Sequence, residues 1–285
     1  IGALHLMTQA IEVLRGKGVK ISEAEAIGVS IAILLHDIGH GPFSHTLENT
    51  LIETHHETLS LRFMEQLNEA FNGQLSLAIQ IFKNEYPKRF LHQLISGQLD
   101  MDRMDYLNRD SYFTGVHEGV IGYDRIIKML AVKNDELVVE EKGIYSIEKF
   151  LIARRLMYWQ VYLHKTVLVA EQMLVKTLQR AQELARNKKL GQQSGSLHFF
   201  LHHKITDDNF LADRKRLLDR FAALDDIDIM ATLKSWMHHP DFILSYLSEK
   251  IVNRRLFKIW LQDSAFDKKQ KKECRQNAQK RFNIT

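Results

Sequence analysis

The stretch LLHDIGHGPFSHTLE, Leu34 to Glu48, decides how this chain is read. Three histidines and two carboxylates, His36, Asp37, His40, His45 and Glu48, fall within thirteen residues around a Gly41-Pro42 break. An adjacent His-Asp pair at the end of an apolar run offers one imidazole nitrogen and one carboxylate oxygen to a divalent cation. The histidines downstream supply proton-transfer groups beside it, because imidazole titrates near neutral pH. A polar helix end with scattered surface histidines is the plainer reading, and a cluster this dense argues against it.

Outward from that stretch, local signals are mostly helical. Leu4, Met7, Ile11 and Leu14 recur at helical spacing, which predicts a helix over Ile1 to Arg15 closed by Gly16 and Gly18. Ser22 followed by Glu25 is a capping-box pattern that opens a second helix, and its apolar run delivers His36-Asp37 at the C-terminal end. Gly39 and Gly41 break it. Pro42 suits the first turn of a new helix, which would place His45 and Glu48 on one face.

Further helices are expected at His56 to Phe71, Leu75 to Phe82, Phe90 to Ile95 and Met101 to Arg109. The segment ELVVEEKGIYSI, Glu136 to Ile147, reads as a small hairpin turning at Glu-Lys-Gly. Long helices follow from Ile147 to Asn187, then a polar loop over Asn187 to Ser196 and more helix from Leu197 to Trp260.

Composition bounds the rest. With 285 residues the chain can bury a substantial core in one large or two small domains. Three prolines and fourteen glycines favour long helices over a turn-rich β protein. The net charge of +4 permits anionic ligands without arguing for nucleic acid or membrane. Cys274 is the only cysteine, so no intrachain disulfide forms and a reducing cytoplasm fits best. No apolar run reaches the ~20 residues of a membrane span. The basic tail from Lys268 reads as a solvated helix; nucleic-acid contact there would lack the interleaved aromatics that stacking needs. Ile1 rather than Met opens the sequence, so the native N-terminus is expected upstream.

A hard or borderline cation needs more ligands than His36-Asp37 provide. The best source is DMDRMDYLNRD, Asp100 to Asp110, where Asp102, Tyr106 and Asp110 stand at successive helical turns beside Arg103 and Arg109.

His36-Asp37, the continuation IGHGPFSH, His56-Glu57 and DMDRMDYLNRD together strongly resemble the HD-domain metal phosphohydrolases. The similar branch is that of the deoxynucleoside triphosphate (dNTP) triphosphohydrolases, which includes the vertebrate SAM- and HD-domain dNTPase and bacterial homologues. The resemblance is specific from residue 1 to about 130, useful to about 190 and weak beyond. It implies a mostly α fold, with an HD helical core over 1–130, a hairpin and long helices completing the active site over 131–190, and a helical C-terminal subdomain over 191–285.

Residue by residue, the resemblance implies His36, Asp37 and Asp102 as ligands of one divalent ion, Mn, Fe, Mg, Zn, Co or Ni. It implies His40, His45 and His56 as active-site histidines around the scissile phosphate, with Glu48 orienting His45. Arg103 stands as a phosphate contact, Tyr106 and Asp110 as sugar contacts, and His164-Lys165 as a phosphate-contacting pair. Gln160 stands where the vertebrate relative has a phosphate-binding arginine. Gly2 matches the glycine of the family's His-Ser-x-Gly pattern, so the first metal-ligand histidine is expected two positions before Ile1. His5 would lie six residues past it, about 600° around the helix and on another face, and is expected to be packed or solvent-facing.

The implied reaction is hydrolysis of a dNTP to nucleoside and triphosphate by a homo-oligomer. Two alternatives remain open. One is another HD phosphohydrolase, acting on a nucleoside monophosphate, an alarmone or a cyclic dinucleotide. The other is a nucleotide-binding regulatory module without turnover.

Overall fold

The computed structural model describes residues 1–48, 50–191 and 195–283, so the middle of the loop read over 187–196 lies outside the described residues. The described residues hold fifteen α-helices and four short strands. Helix α1 (Gly2–Gly16) buries Ala3, Leu6, Met7, Ala10, Ile11 and Leu14, the spacing of a single apolar stripe. Helix α2 (Glu23–Leu35) starts on the capping box, with the Ser22 side chain accepting from the Glu25 N–H and the Glu25 carboxylate from the Ser22 N–H. His36 is its C-terminal cap residue.

No α-helix follows Pro42. Phe43 and Ser44 take left-handed backbone angles (φ 54° and 48°), and a single 3₁₀ turn spans Ser44–Leu47. The strained pair halts helix growth and leaves Glu48 as the residue that closes the turn. Strand β1 (Ile52–Glu53) then leads to α3 (His56–Ala70), α4 (Ser76–Phe82), α5 (Arg89–Ile95) and α6 (Met101–Thr114). Asp100 caps α6 by accepting from the Arg103 N–H at 2.7 Å, and Met101, Met104 and Leu107 turn inward.

After α7 (Tyr123–Met129), the hairpin pairs β2 (Leu130–Lys133) with β3 (Glu136–Val139), from Leu130 opposite Val139 to Lys133 opposite Glu136. This corrects the expected position. The turn is Asn134-Asp135, both at positive φ (52° and 64°), as a two-residue primed turn requires. Glu141–Gly143 instead forms a 3₁₀ turn into α8 (Ile144–Met157). The long helices expected from 147 to 187 are divided at one place. Tyr158–Tyr162 is a π-helical turn, His164 is extended (φ −63°, ψ 137°), and α9 (Lys165–Arg186) begins anew with His164 Nδ1 accepting from the Thr166 N–H.

The C-terminal part comprises α10 (Ser196–His202), β4 (Ile205–Thr206), α11 (Asp207–Ala212), α12 (Arg214–Ala222), α13 (Asp226–Trp236), α14 (Phe242–Val252) and α15 (Lys268–Phe282). Strand β4 pairs in parallel with β1. The basic helix α15 buries none of its side chains.

Two apolar clusters carry the fold. One runs from Ala3 to Met157 through α1, α2, Met64 of α3, α4–α8 and β2. The other joins α9 and the C-terminal helices to Leu51, Ile52, Leu59 and Phe63. Residues 37–60 run between the two, and the candidate site combines that segment with His36 and the α6 residues Asp102, Arg103 and Tyr106. Among the described residues no helix is long and apolar enough to cross a membrane.

Candidate active site

Two side-chain clusters face one cavity of about 590 Å³. The first is made by regular helix ends. His36 donates from Nδ1 to the Ile33 carbonyl at 2.7 Å, which fixes the ring and turns Nε2 toward Asp37 Oδ2 (3.4 Å) and Asp102 Oδ1 (3.6 Å). That Nε2 is buried and closes no hydrogen bond. Burial disfavours its proton, but Asp102 and Asp37 outweigh burial and hold the His36 pKa above its ordinary value. One donor atom from each of His36, Asp37 and Asp102 lies within 4.8 Å of the others. An unpaired imidazole nitrogen between two carboxylates is what a divalent cation would satisfy, and the donor set fits one.

The second cluster is an imidazole trio. His40 and His56 stack with centroids 4.1 Å apart and an interplanar angle of 12°, and His45 meets them edge-on at 4.6 and 5.0 Å. Glu48 organises it from the end of the 3₁₀ turn. Its Oε2 accepts from His45 Nδ1 (3.1 Å), and its Oε1 accepts from His56 Nδ1 (3.1 Å), the His56 N–H (3.1 Å) and His55 Nδ1 (3.3 Å). The carboxylate thus sits on the N-terminus of α3, where free N–H groups favour negative charge. Burial opposes ionisation of Glu48, yet the hydrogen bonds from His45 and His56 win and lower its pKa to about 2. Burial pulls the His40 pKa down; Asp37 resists, and His56 and His45 add to the fall.

Gly39 joins the two clusters. Its N–H donates to buried Ser60 Oγ at 2.9 Å, and a Cβ on it would lie 2.2 Å from the His56 carbonyl oxygen. Only glycine lets the loop approach the α3 backbone this closely. The 3₁₀ turn is held from the other side by the Phe43 N–H, which donates to Asp226 Oδ1 at 2.9 Å.

The remaining sequence-read residues divide. Arg103 and Tyr106 line the cavity. The Arg103 guanidinium, however, is already paired with the Asp100 carboxylate and the Gly97 carbonyl. Burial, with Tyr158 close by, pushes the Tyr106 phenol up to about 12. Asp110 accepts from the Tyr162 hydroxyl at 2.7 Å, which raises the Tyr162 pKa further beyond the effect of burial. His164 and Lys165 are exposed at the start of α9 and are not among the cavity-lining residues. His5 is exposed and contacts Gln9 at 3.1 Å.

Sequence reading missed Lys83, His92 and Tyr158, which also line the cavity. His92 donates from Nδ1 to the Ile81 carbonyl at 3.1 Å, fixing its ring orientation. Its signal was present, since it is a lone ring nitrogen donor in the apolar run FLHQLI. It also missed that Glu48 serves His55 and His56 as well as His45.

Comparison with known proteins places this geometry. Residues 7–110 match the HD domain and residues 121–193 the HD associated region. A crystal structure of a phosphohydrolase from Bacteroides thetaiotaomicron superposes with a TM-score of 0.96 at 55% identity, covering 100% of this chain and 70% of that one. The uncharacterized protein YwfO of Bacillus subtilis is 33% identical over 79% of this chain and 51% of its own length. The deoxynucleoside triphosphate triphosphohydrolase SAMHD1 homolog of Dictyostelium discoideum is 27% identical over 65% of this chain and 40% of its own length. The chain thus spans about half the length of the curated relatives it matches. Its helical core, its HD and HD-associated regions and its likeness to the Bacteroides phosphohydrolase agree, and the chain belongs to the HD-domain phosphohydrolases.

Proposed function

We propose that this chain hydrolyses the phosphate ester of a nucleotide, and specifically that it cleaves dNTPs to nucleoside and inorganic triphosphate. One observation carries the reading. The His45–Glu48 pair, joined at 3.1 Å, opens on the same cavity as the His36, Asp37 and Asp102 donor atoms. The similarity to proteins named deoxynucleoside triphosphate triphosphohydrolases supports the choice of substrate.

His36, Asp37 and Asp102 would hold a divalent cation, which when bound would supply Lewis acidity toward a phosphoryl oxygen and lower the pKa of a water molecule. His45 is the general acid, delivering a proton from Nε2 to the leaving oxygen, while Glu48 holds Nδ1–H and so fixes the ring. His40 and His56 bind phosphoryl oxygens as charge develops. Arg103 joins them by sharing its guanidinium between Asp100 and the phosphate. Tyr106 packs the sugar, and Asp110, held by Tyr162, accepts from a sugar hydroxyl. His164 and Lys165, exposed at the start of α9, receive the triphosphate tail, and the acting form is a homo-oligomer.

The test is a hydrolysis screen of dNTPs, NTPs, nucleoside monophosphates and cyclic dinucleotides with Mn²⁺ or Mg²⁺, followed by product identification. Inorganic triphosphate with free deoxynucleoside is the expected pair. Orthophosphate or pyrophosphate as the only inorganic product would replace the dNTP assignment with another HD phosphohydrolase activity.

A further inference from the structure

We propose that the outward face of α8 is a two-fold interface, at which the chain pairs antiparallel with a second copy of itself, and that this pairing braces the cavity wall. The pairing stands on the surface alone; its effect on hydrolysis rests on the proposed phosphohydrolase function.

Helix α8 buries Phe150, Ala153 and Met157 on one side. At about 100° per residue the opposite side carries Ile144, Tyr145, Glu148, Leu151, Ile152 and Arg155, and the turn that follows adds Trp159. All seven are exposed. Tyr145 is 80% exposed and Trp159 59%, and the three aliphatic side chains are each more than half exposed. A helix that faces water normally carries polar residues on that side, and a contiguous apolar face on a surface marks a contact. The five apolar side chains offer about 500 Å² per copy, and the charged groups between them bring the face near the ~800 Å² per partner of a stable interface.

The spacing along the face fits one occupant, a second copy. Leu151 and Ile152 lie at its middle, and Glu148 and Arg155 stand equally far on either side of the point between them. About the same point Ile144 mirrors Trp159. An antiparallel copy, related by a two-fold axis through that point, sets Glu148 of each chain against Arg155 of the other. Leu151 and Ile152 each meet their own counterparts, and Ile144 and Tyr145 reach the other chain's Trp159. A face that complements itself in this way is what an isologous contact requires, and an unrelated partner would not need the symmetry. Among the described residues neither Glu148 nor Arg155 closes an ion pair within the chain. Arg155 lies over the Trp159 ring at 4.4 Å, which keeps its charge on this face.

The π-helical turn after α8 carries Tyr158, which lines the cavity, and Tyr162, which holds Asp110. Burying Trp159 between two copies restrains that turn, and with it the cavity wall.

The experiment is sedimentation velocity on the chain and on three variants: Glu148→Arg, Arg155→Glu and the double variant carrying both. The parent is expected to be a dimer. Each single swap puts like charges together and should weaken association about 10-fold or more, and the double swap, which restores opposite pairs, should recover it. Such a rescue separates an interface from a folding defect. In a Cys274→Ser background, which removes the native exposed thiol, Leu151→Cys should yield a disulfide-linked dimer, because the two copies of this residue meet at the axis.

A monomeric parent overturns the interface. So does a dimer that no swap weakens and that Leu151→Cys does not cross-link. For the bracing, Ile152→Glu should give monomers whose turnover per chain falls about 10-fold, and full turnover in those monomers overturns it. If neither form hydrolyses any nucleotide, the functional reading fails, and sedimentation still decides the interface.

Discussion

The His36, Asp37 and Asp102 cluster and the imidazole trio share a cavity but are built by different means. His36 and Asp102 sit at ends of regular helices, each fixed by contacts within a few residues: His36 to Ile33, and the α6 cap Asp100 to Arg103. The trio hangs on a turn with left-handed Phe43 and Ser44, and its shape depends on Glu48 reaching eight residues to His56 and on Gly39 touching Ser60. Local helix chemistry therefore positions the candidate cation ligands, and long-range packing positions the proposed acid. Loss of one should leave the other largely standing.

The largest break is Asp37→Ala. It removes a donor from the first cluster and should lower metal content and hydrolysis together, by more than about 100-fold, because losing a ligand exceeds the usual cost of losing its outer partner. Elemental analysis beside a turnover assay checks this. Turnover without bound metal would detach the reaction from that cluster.

His45→Ala should separate the two regions. Metal at His36, Asp37 and Asp102 is expected to remain while turnover falls about 100-fold or more, the scale of a lost general acid. Full turnover in that variant would move the acid role elsewhere.

Gly39→Ala tests the joint between them. The new Cβ meets α3 backbone at 2.2 Å (His56 O) and 2.4 Å (Ser60 N), so the loop must shift. The expected cost is about 2 kcal/mol in stability. Turnover should drop about 10-fold from displaced His40 and His56, with metal retained. Chemical denaturation and kinetics on the same preparation read both effects.

Glu25→Ala probes the helical side alone. Glu25 caps α2 and accepts from Tyr86 (2.7 Å) and Lys88 (2.8 Å), and against burial these bonds lower its pKa to about 2. Stability should fall by about 2 kcal/mol, with turnover per folded molecule unchanged. A depressed carboxyl pKa stabilises the fold fully above its ordinary value of 4.5, and the benefit fades as pH falls toward 2. The gap in melting temperature between parent and variant should therefore be complete at neutral pH and close over that acid window.

Much of this was legible because its causes are local. The Ser22–Glu25 capping box opens α2 as read, the apolar spacing of α1 matches its buried face, and α3 and α6 start at His56 and Met101 as expected. The hairpin was misplaced because the Glu-Lys-Gly tripeptide drew attention from Asn134-Asp135, whose paired positive φ makes the tight turn. Pro42 promised a helix that the left-handed Phe43-Ser44 pair forbids. The break at His164 had a weak signal, since a histidine can cap a helix but seldom announces that it will.

By itself, the sequence determined which donor atoms exist and which helices present the first cluster, because caps and apolar stripes act over three or four residues. Tertiary structure alone decided that Glu48 binds three histidines, that Gly39 lies against α3, and that Asp226 holds the Phe43 turn from 183 residues away. It also decided that Arg103 is paired with Asp100 and that Lys83 and His92 line the cavity. Contacts of that range are selected by how whole faces pack, and no short-range pattern in the chain encodes them.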